Sequence, residues 1–167
     1  MAASPRRLYL IRHAIAAERG PDWPDDGQRP LTKRGAQRMA QVMNGFARLG
    51  ESIDLILTSP LTRAVQTAAI VADALGRRPP VRVLPALAPG FETSRAAAAM
   101  ATAARTAHHV ALVGHEPDLG QLAAWLIGAR EPLPFKKGGI CRIDATRWPP
   151  GQSNQLVWLA TPKMLRR

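Results

Sequence analysis

The chain has 167 residues, 46% hydrophobic and 21% charged, the size and composition of one ordinary globular domain. Its single cysteine, Cys141, excludes an intramolecular disulfide and fits a reducing compartment. The net charge of +11 favours anionic partners, but aromatics are only 5% and no zinc-finger spacing, RGG tract or lysine-rich tail is present, so no nucleic-acid partner is expected.

Leu8–Ile11 is the first apolar run and reads as a strand. It is too short for the core of a signal peptide. No segment approaches the roughly 20 apolar residues of a membrane helix, so a soluble cytoplasmic protein without membrane contact is expected. Residues 16–31, AAERGPDWPDDGQRPL, hold three Pro, two Gly and three Asp and read as a long loop, a length usually kept for function. From Thr32 to Leu49 the apolar residues Met39, Val42, Met43, Phe46 and Leu49 recur at helical spacing, with Thr32 as N-cap and Gly50 as stop. A strand follows at Leu55–Thr58, a helix at Leu61–Leu75 closed by Gly76, and a strand at Val81–Leu84. An alanine-rich helix spans Thr93–Thr106, then a strand Val110–Val113, then a helix Pro117–Ile127 with proline in its first turn and Gly128 after its end. Two last strands, Cys141–Asp144 and Leu156–Leu159, are joined through Trp148-Pro149-Pro150-Gly151, which predicts an antiparallel hairpin at the sheet edge. Cys141 is placed in the strand core. The alternation predicts an α/β fold of three α/β/α layers around a mostly parallel sheet of about six strands. With no interior linker and no repeat, residues 1–167 read as a single domain.

In parallel α/β sheets, ligands bind beyond the carboxyl ends of the strands. The first strand ends in Arg12-His13. The second runs through Thr58-Ser59-Pro60 into a helix whose first turn holds Arg63, and the fourth ends in Gly114-His115-Glu116-Pro117. Two histidines and two arginines thus gather at one sheet edge. Helix N-termini follow two of these strands, and their free N–H groups also favour an anion.

Five motifs stand in order along the chain. They are L-I-R-H at 10–13, R-P-L-T-x-x-G at 29–35, S-P-L-x-R-A-x-Q-T at 59–67, V-L-P-x-L-x-P-G at 83–90 and V-G-H-x-P at 113–117. In that combination the sequence resembles the histidine phosphatase superfamily, and most closely its small SixA-type phosphohistidine phosphatases. The resemblance implies a phosphoglycerate mutase-like fold and a phosphatase that forms a covalent phosphohistidine on His13. It implies that Arg12 and Arg63 clamp the phosphoryl group and that His115 donates to a non-bridging oxygen. Chemistry agrees with these roles. A neutral imidazole nitrogen can attack phosphorus and split one displacement into two. Flanking arginines lower the histidine pKa, and a backbone carbonyl would fix the tautomer. Guanidinium forks reach two phosphoryl oxygens at once. Arg29, in the long loop, is either a further phosphate contact or a solvated side chain.

Two departures from the family pattern stand out. Ala14 follows the Arg-His pair where many relatives have glycine. Larger relatives place a glutamate general acid in the loop after the third strand, and the equivalent position here is Ala86. The nearby carboxylates, Glu92 and Glu116, read as surface groups. Acid catalysis supplies roughly 10²–10⁴-fold, so its loss favours a leaving group that needs no added proton, such as the nitrogen of a phosphoramidate. The expected substrate is therefore protein phosphohistidine. Small phosphoesters, nucleotides or polyphosphate are the alternative, as is a non-catalytic phosphate-binding module. Lys136-Lys137-Gly138-Gly139 is either a basic flap for an acidic partner or an ordinary exposed turn. The two histidines lack carboxylate or thiolate partners in ligand spacing, so neither a metal nor another cofactor is expected.

Overall fold

The computed structural model describes residues 4–167; Met1–Ala3, part of the stretch read against a signal peptide, lie outside the described residues. Six strands, β1 (Arg6–Arg12), β2 (Leu55–Thr58), β3 (Val81–Val83), β4 (His109–Gly114), β5 (Ile140–Ala145) and β6 (Gln155–Ala160), form one sheet in the order β3-β2-β4-β1-β5-β6. The pairs β2–β3, β2–β4 and β1–β4 are parallel, whereas β1–β5 and β5–β6 are antiparallel. This is the mostly parallel α/β sheet with a C-terminal antiparallel hairpin that the alternation predicts. Among the described residues five α-helices complete it: α1 (Lys33–Arg48), α2 (Thr62–Ala74), α3 (Thr93–Ala103), α4 (Asp118–Ile127) and α5 (Pro162–Leu165). No helix among the described residues is long and apolar enough to cross a membrane.

The two faces of the sheet follow from the period-two alternation of side chains along a strand. Leu8 and Leu10 of β1, with Leu55, Leu57, Val110, Leu112, Cys141 and Ile143, point to one face and pack under α3 and α4. Tyr9 and Ile11, with Ile56, Ala111, Val113 and Ile140, point to the other and pack under α1 and α2. Each of the leucine, isoleucine and valine side chains, fully buried, contributes about 1.5–3 kcal/mol. Both faces of the central strands are covered, which is why they read as continuous apolar runs.

Helix ends follow the cap chemistry. Thr32 Oγ1 accepts from Gly35 N at 2.9 Å and starts α1. Gly128 closes α4 in the left-handed region, at φ 72°, where a side chain would be strained. The alanine-rich helix stops at Ala103, three residues before the predicted end, and its start is capped by Glu92, whose carboxylate accepts from Ser94 N and Arg95 N. Glu92 is thus a helix cap. The short helix α5 falls in a C-terminal segment whose sequence carries too few residues for a periodic signal.

Candidate active site

Register places the site. Arg12 of β1 pairs with Gly114 of β4, so the residues just past each strand, His13 and His115, lie side by side. Their ring centroids are 5.1 Å apart. On the other side of β4, Thr58 of β2 pairs with Val113, and Ser59 arrives level with the tip of β4. Arg63, on the first turn of α2, reaches in from the same end. All four predicted residues, His13, Arg12, Arg63 and His115, line one cavity of about 440 Å³, and Arg29 lines it too.

The backbone at the tip of β1 is held on three sides. His13 N donates to Gly114 O at 3.0 Å, Arg12 N donates to Gly139 O at 3.1 Å, and Gly138 N donates to the carbonyls of both Arg12 and His13. Gly138 sits at φ 78°, which makes the turn possible. The Lys136–Gly139 turn therefore has a fixed part, the buried glycines that hold the strand tip, and a free part, the exposed lysines, of which Lys137 borders the cavity. Ala14 N donates to Thr67 Oγ1 at 3.1 Å, and that hydroxyl donates to Arg63 O at 2.7 Å, so one buried threonine ties the His13 loop to the Arg63 helix. Ile15 O accepts from Thr32 N at 3.0 Å, and a Cβ at Gly35 would sit 2.1 Å from the same carbonyl. The glycine of R-P-L-T-x-x-G is thus demanded by close backbone approach. Gln66 Oε1 accepts from Leu31 N at 2.8 Å and pins the same segment.

The His13 ring is buried, and its Nδ1 lies 2.7 Å from Ala14 O. A carbonyl only accepts, so Nδ1 carries the hydrogen and Nε2 keeps its lone pair. Burial is the main cause that takes the His13 pKa down to about 4; the Ala14 carbonyl opposes it, and Arg63, Arg12 and Lys137 add to it. Burial likewise takes His115 down to about 3, with His13 and Arg63 adding to the effect. Both imidazoles are therefore neutral at pH 7. His115 Nε2 is 2.7 Å from Ser59 Oγ, which also receives Leu61 N at 3.3 Å.

Three buried side-chain nitrogens at this site make no hydrogen bond among the described residues: Arg12 Nε, Arg63 Nε and His115 Nδ1. Leaving such groups unpaired costs about 1–3 kcal/mol each, more when charged. Arg12 is held by Nη1 to Phe135 O at 2.7 Å. Arg63 is held by Nη1 to Asp26 O at 2.8 Å and by Nη2 to Asp26 Oδ2 at 3.0 Å. Arg29 donates to Ala17 O at 2.7 Å and to Asp26 Oδ1 through Nε at 3.1 Å. It is buried, not solvated. Five cationic side chains, Arg12, Arg19, Arg29, Arg63 and Lys137, and three carboxylates, Glu18, Asp26 and Glu116, line the cavity, so its field attracts an anion. Partial burial works against ionisation of Asp26, but Arg63, Arg29 and Arg19 outweigh it and hold its carboxyl below the usual range.

Glu116 corrects its reading as a surface group. It is half-buried, borders the cavity, and its Oε1 makes no hydrogen bond. Burial lifts its carboxyl above the usual range while Arg12 opposes. Ala86 does not line the cavity; it lies on an adjoining recess with Phe91 and Arg95 that shares Pro89 with it. Sequence reasoning missed Asp26, Ser59 and Thr67. Ser59 and Thr67 sit inside the S-P-L-x-R-A-x-Q-T motif, where only their spacing from Arg63 hinted at a role. Asp26 stands three residues before Arg29, a spacing shared by any helix-turn ion pair. Among the described residues no three of His, Cys, Asp and Glu gather as a metal ligand set.

Comparison with known proteins agrees with the geometry. Residues 8–88 match the model of the histidine phosphatase superfamily (branch 1). An uncharacterized protein of Picosynechococcus sp. (strain PCC 7002) is 42% identical over 165 residues, covering 95% of this chain and 98% of that protein. The phosphohistidine phosphatase SixA of Escherichia coli is 28% identical over 161 residues, 96% of each chain. The structure of the protein histidine phosphatase SixA complexed with tungstate superimposes with a TM-score of 0.82 at 25% identity, covering 94% of this chain and 97% of that one. Motifs, sheet and relatives agree, and the chain belongs to the histidine phosphatase superfamily, among its SixA-type members.

Proposed function

We propose that the protein is a phosphatase that passes the phosphoryl group through a covalent intermediate on His13, with protein phosphohistidine as its favoured substrate. The observation that carries this reading is the trio of unpartnered buried nitrogens, Arg12 Nε, Arg63 Nε and His115 Nδ1, beside a neutral imidazole whose Nε2 is free to attack. A tetrahedral oxyanion satisfies all three.

In the first step the Nε2 lone pair of His13 forms a bond to phosphorus as the bond to the leaving group breaks. Arg12 and Arg63 hold the non-bridging oxygens, each charged hydrogen bond being worth about 1.5–3 kcal/mol. Ser59 donates to His115 Nε2, which leaves the hydrogen on Nδ1, aimed at the oxygen whose charge grows as phosphorus becomes five-coordinate. In the second step water attacks phosphorus, the P–N bond breaks, and the electron pair returns to His13 Nε2. Arg29 lies behind Asp26 and steadies the cage from the loop.

Ala86 offers no proton to a leaving group. A phosphoramidate departs without that help far more readily than a serine alkoxide, and the SixA relatives carry the same activity in their names. The test is a substrate panel without added metal, comparing phosphohistidine peptide, phosphoserine peptide and p-nitrophenyl phosphate on wild type and His13→Ala. Turnover of the phosphohistidine peptide well above phosphoserine, lost in His13→Ala, is expected. Activity that survives in His13→Ala removes the covalent mechanism, and equal turnover of the two peptides removes the substrate assignment.

A further inference from the structure

The loop of residues 16–31 brings one carboxylate, Asp26, to the wall of the phosphoryl cavity. Its Oδ1 accepts a hydrogen bond from Arg29 Nε at 3.1 Å and forms ion pairs with Arg19 Nε and Arg29 Nη2, each 3.0 Å away. Among the described residues its Oδ2 accepts only from Arg63 Nη2, at 3.0 Å, and so keeps an acceptor position. The side chain is 40% exposed, so it stands at the rim, whereas His13 is buried at the floor. An in-line attack from the floor pushes the leaving group toward that rim. Beyond Asp26 an adjoining recess of about 410 Å³, bordered by Trp23, Gly20 and Pro24, shares Arg19 and Asp26 with the cavity. Its aromatic wall suits a planar ring.

We propose that Asp26 determines specificity by accepting the N–H of a nitrogen-heterocycle leaving group seated in the Trp23 recess, so that phosphorylated imidazole is chosen over alkyl phosphate and polyphosphate. The proposal rests on the phosphoryl-transfer reading above. The substrate enters with its far ring nitrogen protonated, and the carboxylate stabilises that protonated form. The His13 Nε2–P bond forms as the ring P–N bond breaks. The departing nitrogen keeps the electron pair, and the ring leaves as neutral imidazole with its far N–H still on Asp26. No other proton donor is required, which fits the alanine at position 86. An alkoxide gains nothing from a carboxylate, and a second phosphate is repelled by it.

The experiment compares kcat/KM for N-phosphorylimidazole, p-nitrophenyl phosphate and tripolyphosphate on wild type and Asp26→Asn. Damage to the seating of Arg63 acts on every substrate alike and cancels in the ratios. The ratio of phosphorylimidazole to p-nitrophenyl phosphate should fall by about ten- to a hundredfold, the value of one charge-assisted hydrogen bond. The alkaline limb of the phosphorylimidazole profile should move to lower pH, and relative turnover of tripolyphosphate should rise. Trp23→Ala, which leaves the ion pairs of Asp26 in place, should lower the ratio of phosphorylimidazole to tripolyphosphate, which has no ring to seat, and carries the test if Asp26→Asn does not fold. An unchanged ratio in an active, folded variant overturns the role of Asp26 and leaves the phosphatase reading standing. Wild type that turns over none of the three substrates overturns both.

Discussion

Arg63→Lys isolates the guanidinium fork from the charge. Arg63 lines the cavity, directs Nη1 and Nη2 to Asp26, at 2.8 and 3.0 Å, and leaves its buried Nε without a partner among the described residues. A lysine has one ammonium on a flexible stem, which reaches either Asp26 or the phosphoryl oxygen but not both in fixed geometry. The long-range attraction of the positive charge is retained. What is lost is one charge-assisted hydrogen bond in the transition state, about 1.5–3 kcal/mol. At about 1.36 kcal/mol per decade this is a fall of roughly 10- to 150-fold in kcat/KM. Most of it should appear in kcat, because the bond tightens as charge develops on phosphorus. The assay is steady-state hydrolysis of p-nitrophenyl phosphate, with thermal melting as a control and vanadate inhibition as a second reading. Vanadate mimics the five-coordinate state, so its Ki should rise by the same factor as kcat/KM falls. A folded variant within threefold of wild type in both measurements would refute the phosphoryl-clamping role of Arg63.

Acid should destabilise the fold through its neutral histidines. His13 lies at about 4 in the folded chain and near 6.5 when unfolded, so the unfolded chain binds the extra proton between those values. Its contribution is complete above pH 6.5 and falls by about 3 kcal/mol on descending to pH 4, and urea midpoints should show a smaller loss for His13→Gln than for wild type. Gly35→Ala should destabilise by about 1–3 kcal/mol despite the better helix former, because its Cβ would meet Ile15 O at 2.1 Å; a raised melting temperature would contradict that contact. Ser59→Ala should lower kcat by about tenfold with little change in KM and shift the side-chain ¹⁵N signals of His115; unchanged signals would show that Ser59 does not set the tautomer.

The layered α/β fold was legible because three signals coincide. Apolar strand runs such as Leu55–Thr58 are bounded by turn residues, Met39 to Leu49 keep a helical period, and Gly50 and Gly128 sit at helix ends with positive φ. The predicted site residues share one cavity for a simple reason: parallel neighbours β2, β4 and β1 end together, so residues just past them must meet. The supporting contacts were not legible. Asp26 lies 37 positions from Arg63, and nothing local marks the pair. The hydrogen bond from Ser59 to His115 spans 56 positions and depends on register between β2 and β4. Glu116 read as a surface carboxylate because burial of a charge beside a strand end depends on how the Phe135 segment folds back over it, which no periodicity encodes.

The stereochemical course at phosphorus tests the central claim most directly, using an aryl phosphorothioate made chiral with oxygen isotopes. Two in-line displacements, one onto His13 and one by water, predict retention of configuration. Inversion would mean that water attacks the substrate directly, and a covalent phosphohistidine on His13 would be contradicted.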